Sequence, residues 1–332
     1  MKLKAFIIII SLLSITSISY GHHSISPFDR TAWLEFEGVV TKLNWRNPHF
    51  GMTVSVTKDD GSIEEWEIVA DAINSLMRRG LTRENFAVGE TIRLGGWPSS
   101  QGRLEMLSTN ALFTNGQEYI MRDTDTPLVW TSPEGDIAKP TDPDVASDLF
   151  RVWSYKAIYV RKNPFKLTEK SAQAVAQYDP FVDMPSLRCI PPSMPNAILS
   201  PYPFEFSEEG DDIRLSIEEW GSERLIDMTS SQIPQDAPRS RLGYSIGRFE
   251  NGSLHVHTER LINGLLDDDG SLMSQDATLD EVFTIAQDGI TLNYKVTVTD
   301  PEYLVEPATW IAAWQWNPDT IMRPYECEFD AQ

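Results

Sequence analysis

The chain holds five histidines, and what they could do depends on where the mature protein starts. His22 and His23 follow Ser19-Tyr20-Gly21, whose small residues suit a signal-peptidase site. Cleavage after Gly21 would place a free α-amine and an imidazole on His22. Together they could chelate Cu(II), with a second imidazole completing a T-shaped arrangement of the histidine-brace type. Imidazole suits copper, and copper tops the divalent affinity order. A cut after Ser19 would leave the histidine third from the amine. His49 stands in the turn joining the first two expected strands, so the metal reading is His22, His23 and His49, with copper the only cofactor suggested. The competing reading is a terminus with two exposed histidines and a turn histidine bonded to backbone. His255 and His257 alternate along a strand and share a face. Leu254 and Val256 claim the apolar side, which favours an exposed face over a two-imidazole site.

Other patterns carry less chemistry. Gly243-Tyr244-Ser245-Ile246-Gly247 fits the G-x-S-x-G pattern of serine hydrolases. That pattern needs a strand, a sharp turn and a helix, whereas Arg248 to Gly252 reads as strand and hairpin. Trp310, Trp314 and Trp316 share one face of the last strand with Ala312. In an open groove they would be the ligand-binding residues, stacking on a flat ligand; pointing inward they are barrel core, the reading we favour. Asp267-Asp268-Asp269-Gly270 lacks the alternating spacing and distal Glu of a calcium loop and reads as a solvated acidic turn. Glu218 and Glu219, adjacent on an expected strand, face opposite ways, which spoils them as a catalytic pair. Cys189 and Cys327 are the only cysteines. In an oxidising compartment a disulfide is their default, and closing so long a loop contributes about 4–5 kcal/mol in the chain-entropy picture.

The address is read from residues 1–21. Lys2 and Lys4 precede a mostly apolar run, Ala5 to Ile18, too short to span a bilayer comfortably. A signal peptide, a periplasmic or secreted location and no membrane span after cleavage are expected. The formal charge of −21 becomes −23 once Lys2 and Lys4 are removed. Such acidity repels phosphate backbones, so nucleic acid is a poor partner.

These residues must be positioned by β structure. Leu34–Trp45, Phe50–Thr57 and Ser62–Val69 alternate as strands, the last two joined by an Asp-Gly turn. Ala72–Arg79 follows as a short helix, with Asp71 as N-cap and Gly80 as stop. Thr91–Trp97 and Arg103–Phe113 complete five strands. Three strands, a helix and two strands is the order of an OB-fold. Leu34–Phe113 holds eight Lys/Arg against eleven Asp/Glu, no groove for nucleic acid. Residues 116–201 read as a Pro-rich connector, with Leu149–Val160 apolar and aromatic, a strand that could pack on either domain, and a helix from Thr168 to Tyr178. From Tyr202 eight strands follow, Tyr202–Ser207, Asp212–Glu219, Glu223–Met228, Leu242–Glu250, Ser253–Leu261, Leu279–Ala286, Ile290–Thr299 and Thr309–Trp316. Asn251-Gly252 and Asp288-Gly289 read as primed hairpin turns. A meander of this kind predicts a closed antiparallel, lipocalin-like up-and-down barrel, filled with side chains or holding one small ligand. The expected division is 1–21 signal peptide, 22–115 OB-like barrel, 116–201 connector and 202–332 antiparallel barrel.

His22-His23-Ser24, Asn47-Pro48-His49 and Leu76-Met77-Arg78-Arg79-Gly80-Leu81-Thr82 resemble an uncharacterised family of secreted bacterial proteins, the domain of unknown function 6152 family, over roughly residues 22–115. Arg188-Cys189-Ile190-Pro191-Pro192, Ser240 to Ser245, Val298 to Pro301 and Pro324-Tyr325-Glu326-Cys327 resemble its longer members. The resemblance implies export and a β-rich fold and carries no activity. The functional expectation is a binding protein for a small ligand or copper. An extracytoplasmic enzyme of unknown reaction and a structural or protein-interaction module are the alternatives.

Overall fold

The computed structural model describes residues 28–48, 50–122, 126–131, 148–161, 166–179 and 182–328. The signal-peptide reading and His22, His23 and His49 lie outside the described residues.

The protein is mainly β and forms two closed barrels. The first is built from β1 (Leu34–Asn44), β2 (Gly51–Thr57), β3 (Ile63–Val69), β4 (Thr91–Pro98) and β5 (Glu105–Phe113), with helix α1 (Ile73–Arg78) between β3 and β4. The order β3-β2-β1-β4-β5 closes where β3 runs parallel to β5, which is the OB arrangement. β1 serves both halves. Its start pairs with β4 and its end with β2, and a register shift between Val40 and Lys42 bends it between them. Val40, Phe50, Met52, Val54, Ile68 and Leu94 fill the interior, and α1 adds Leu76. β6 (Glu118–Ile120) extends the edge of β5 beyond β3. Gly80 stops α1 in the left-handed region at φ +84°. Asp71 does not cap the helix; Ala72 occupies that position, and Asp71 instead accepts Arg79 at 2.6 Å and Arg122 at 3.2 Å.

The second barrel has nine strands, not the eight expected. They are β7 (Val152–Arg161), β8 (Phe204–Glu209), β9 (Asp212–Ile217), β10 (Ser222–Asp227), β11 (Tyr244–Glu250), β12 (Ser253–Glu259), β15 (Thr278–Ile285), β16 (Thr291–Thr299) and β17 (Ala308–Trp316). A small ribbon, β13 (Gly264–Leu265) with β14 (Leu272–Met273), stands outside the ring. The ninth strand, β7, comes from the connector and joins β17 to β8. An odd ring cannot alternate direction throughout, so one pair of neighbours must be parallel. That pair is β10 and β11, which meet only at Ile226–Ser245 and Asp227–Ile246. The other neighbours are antiparallel. Asn251 and Gly252 both have positive φ, as a type I′ turn requires. Asp288-Gly289 differs: only Gly289 is left-handed, in a longer loop closed by its N–H on Ala286 O.

Most of this barrel is filled. Trp314 packs edge-on against Phe204 at 4.9 Å and Tyr294 at 5.5 Å, and Phe206 meets Phe283 at 5.1 Å. Trp310 and Trp314 are buried core, so they do not line an open groove. Trp316 is half-buried, and Arg151 stacks between it and Trp153.

The barrels meet at Glu218. The sequence places Glu218 and Glu219 on a strand, but the chain leaves β9 after Ile217 and makes a 3-10 turn over Glu219–Gly221, with Trp220 at φ 64°. The Glu218 side chain is wholly buried against the first barrel. It accepts Arg78 and the Asn74 amide, both from α1, and the Arg323 backbone N–H. Asn47, in the β1–β2 turn, bonds Asn74 at 3.0 Å. The segment after Arg323 closes over this seam. Pro324 O accepts from Asn74, Glu328 N–H donates to Asn47 O, and Cys327 is disulfide-bonded to Cys189. Among the described residues no helix is long and apolar enough to cross a membrane.

Candidate functional site

The short parallel contact leaves the rest of β10 and the approach to β11 apart. A cavity of about 440 Å³ opens in that gap. Leu225, Leu242, Pro191 and Pro192 give it apolar walls, and Arg224, Arg241, Tyr244 and Ser245 add polar groups. Two glycines shape it. Gly243, at φ +73°, turns the chain into β11, where a Cβ would sit 2.6 Å from Glu259 O. Gly247 lets β10 approach, since a Cβ there would lie 2.5 Å from Met228 Sδ and 2.7 Å from Ile226 Cγ2. Those are the two glycines of the G-x-S-x-G run, so the pattern here is strand geometry. Ser245 lies on a strand opposite Thr258, and His257 opposite Ile246, so the histidine faces away from the serine.

Behind the cavity wall runs a buried polar network. Arg224 donates through Nε to Ser245 Oγ at 2.7 Å and through Nη1 to Glu281 Oε1 at 3.0 Å. Its Nη2 reaches Thr258 Oγ1 and Glu281 Oε2. Tyr294 OH donates to Glu281 at 2.9 Å. Burial drives the Tyr294 phenol well above its ordinary pKa, with the Glu281 charge adding to it, so it stays a donor. Arg224 and Glu281 are 1% and 0% exposed in their side chains. A pair so buried costs several kcal/mol of desolvation per ion, which only good geometry and full hydrogen bonding offset.

The carboxylates at the cavity are already engaged. Asp227 accepts from Thr229, Ser230 and Tyr244 OH. Ser230 foremost, opposed by desolvation and joined by Thr229 and Tyr244, holds its carboxyl far below the usual range. Asp212 accepts the Met228 N–H at 2.9 Å, and Glu223 pairs with Arg214. Arg241 is half-buried, and among the described residues its guanidinium has no ion-pair or hydrogen-bond partner.

The remaining candidates fall outside the cavity. Trp310, Trp314 and Trp316 do not line it. His257 sits on the outer face between Asp280 at 2.8 Å and Glu259 at 3.2 Å. Burial lowers its pKa, but the two carboxylates outweigh it and the net shift is upward. Asp267 is not a solvated turn residue; it is buried and organises its loop by accepting from Asp269 N, Ser271 N and Ser271 Oγ. Cys189 and Cys327 form the expected disulfide, 138 residues apart. Among the described residues no group of three His, Cys, Asp or Glu side chains could hold a metal ion. Sequence reasoning missed Arg224, Glu281 and the cavity. An Arg and a Glu at inward positions of apolar strands was the available signal.

No curated protein is similar to the chain. Residues 10–108, which carry the first barrel into β5 and stop before the second, match the family of unknown function DUF6152.

Proposed function

We propose that this is an exported protein, periplasmic or secreted, that binds a small ligand in the cavity between β10 and β11. The carrying observation is a cavity of about 440 Å³ with apolar walls, backed by the Arg224–Ser245 contact. That size and mixture are typical of small-molecule sites. The Cys189–Cys327 disulfide suits an oxidising compartment. In this reading 22–115 and 202–332 are the two domains, and the connector 116–201 lends β7 to the second. Native mass spectrometry of protein purified from its own host tests it. A co-purifying ligand is expected, lost in Leu242→Trp, which fills the cavity. Wild-type protein that arrives empty and binds nothing from a metabolite extract would overturn it.

Copper at His22, His23 and His49 is the companion proposal. Asn47 and Phe50, both buried, hold the chain on either side of position 49. Cu(II) titration followed by EPR should show a site that is lost in His22→Ala and His49→Ala; unchanged binding in either variant removes that ligand.

A further inference from the structure

We infer that the ligand of the β10–β11 cavity is a small organic anion, with a carboxylate or similar group held by Arg241 and an apolar body lying along Leu242, Pro191 and Pro192. This inference rests on the cavity being the binding site and adds the chemical class of its occupant. The chain carries 49 acidic residues against 28 basic ones, so a half-buried arginine has carboxylates in abundance to pair with. The other basic residue at the cavity has done so: Arg224 is neutralised by Glu281. The acidic residues there are also engaged, Asp212 by Met228 N, Asp227 by Ser230 and Tyr244, and Glu223 by Arg214. Arg241 alone keeps a full set of donors. Its backbone is fixed, because its carbonyl accepts the Met194 N–H at 3.0 Å. A planar guanidinium on an anchored backbone, beside apolar walls, suits bidentate recognition of a carboxylate.

The floor favours the same orientation. Ser245 and Arg224 together are a neutralised polar base, their groups already bonded to each other, to Thr258 and to Glu281. Charge recognition therefore falls to Arg241, and the body of the ligand meets leucine and proline.

Three probes of one shape and different charge test this on the full mature protein: naphthoate, naphthamide and naphthylmethylamine, titrated by calorimetry and checked by thermal shift. Naphthoate should bind about tenfold or more tighter than naphthamide, the margin expected of one charge-assisted pair. Arg241→Gln should erase that margin while leaving naphthamide binding within about twofold, and Arg241→Lys should keep part of it. Arg248→Gln, at an arginine of β11 that does not line the cavity, should keep all of it. Equal binding of naphthoate and naphthamide to the wild-type protein, or preference for the amine, would overturn the anion inference and leave the cavity reading standing. If none of the three binds, the cavity reading itself fails. The wild-type comparison stands even if an Arg241 variant does not fold.

Discussion

Two buried glutamates, each with an arginine, have opposite surroundings. Glu218 lies between the barrels, and its arginine, Arg78, keeps 22% of its side chain exposed. Glu281 lies inside one barrel, and Arg224 keeps 1%. Both carboxylates are fully hydrogen-bonded, Glu218 by Arg78, Asn74 and the Arg323 N–H, and Glu281 by Arg224, Tyr294 and Thr258. At the seam the charges join segments 140 residues apart, and a tail covers them. In the barrel, neighbouring layers are closed by Phe204, Phe206 and Trp314, which shows that apolar filling was available. An ion pair placed next to a cavity where apolar packing would serve stability as well or better points to a reason other than stability. The seam pair acts as a latch, and the barrel pair backs the wall of the cavity.

The disulfide is where the two regions are covalently joined, and breaking it should have the largest effect. Cys327 sits in the tail over the latch, and Cys189 lies two residues before Pro191 at the cavity. Replacing both cysteines by serine should cost about 4–5 kcal/mol, read from urea unfolding at neutral pH. Ligand affinity should fall with it, because Pro191 loses its tether. Loss of stability with unchanged affinity would show that latch and cavity are independent.

The pairs themselves separate next. Arg224→Met should cost about 3–5 kcal/mol, since it strands the buried Glu281, and Glu218→Leu about as much, since it takes the acceptor from Arg78, the Asn74 amide and the Arg323 N–H together. The double replacements should diverge. Arg224→Met with Glu281→Leu leaves no charge inside and should return to within about 1 kcal/mol of wild type, while losing ligand binding. Arg78→Met with Glu218→Leu should stay destabilised, because the Arg323 N–H and the Asn74 amide remain without their acceptor. Equal recovery in both doubles would erase the distinction between latch and site wall.

Most of the architecture was legible in the sequence, and the latch and cavity were not, for one physical reason. The period-two alternation of β1, β9 and β17 reports which face is buried, and turn chemistry such as Asn251-Gly252 reports where the chain reverses. Both signals are local. β7 carries no turn linking it to β8, so its membership of the ring rests on pairing with residues some fifty and one hundred and sixty positions away. The cavity follows from the parallel contact of β10 with β11, across a connection whose length implies no particular register. Glu218 and Glu219 were misplaced because strand alternation was extended past Ile217, where Trp220 takes a left-handed conformation that no local pattern announced. Asn47 and Arg78 stood in the family-like motifs, but Glu218, which Arg78 bonds directly and Asn47 reaches only through Asn74, lies 140 residues from Arg78.

The smallest expected effect concerns the neighbour of the latch. Glu219 is buried beside Tyr202, Trp220 and Tyr325, and desolvation pushes its pKa to about 7, with the Ser200 hydroxyl holding it back and Asp268 adding to the rise. A carboxyl raised in the folded state holds its proton while the unfolded chain has already released it. Its contribution is fully present below the unfolded value near 4.5 and is lost as pH rises to about 7. Above that, ionised Glu219 should cost on the order of 3 kcal/mol relative to a residue that cannot ionise. Glu105 in the first barrel behaves alike, raised to about 7 by desolvation against the pull of Arg103 and with the push of Glu67. Glu219→Gln therefore isolates the seam from that parallel effect. It should match wild type near pH 4 and be more stable near pH 8, by thermal unfolding at both. The cavity should not notice, since Glu219 does not line it. A ligand affinity that moved with Glu219 ionisation would show that the seam reaches the cavity by a route other than the disulfide.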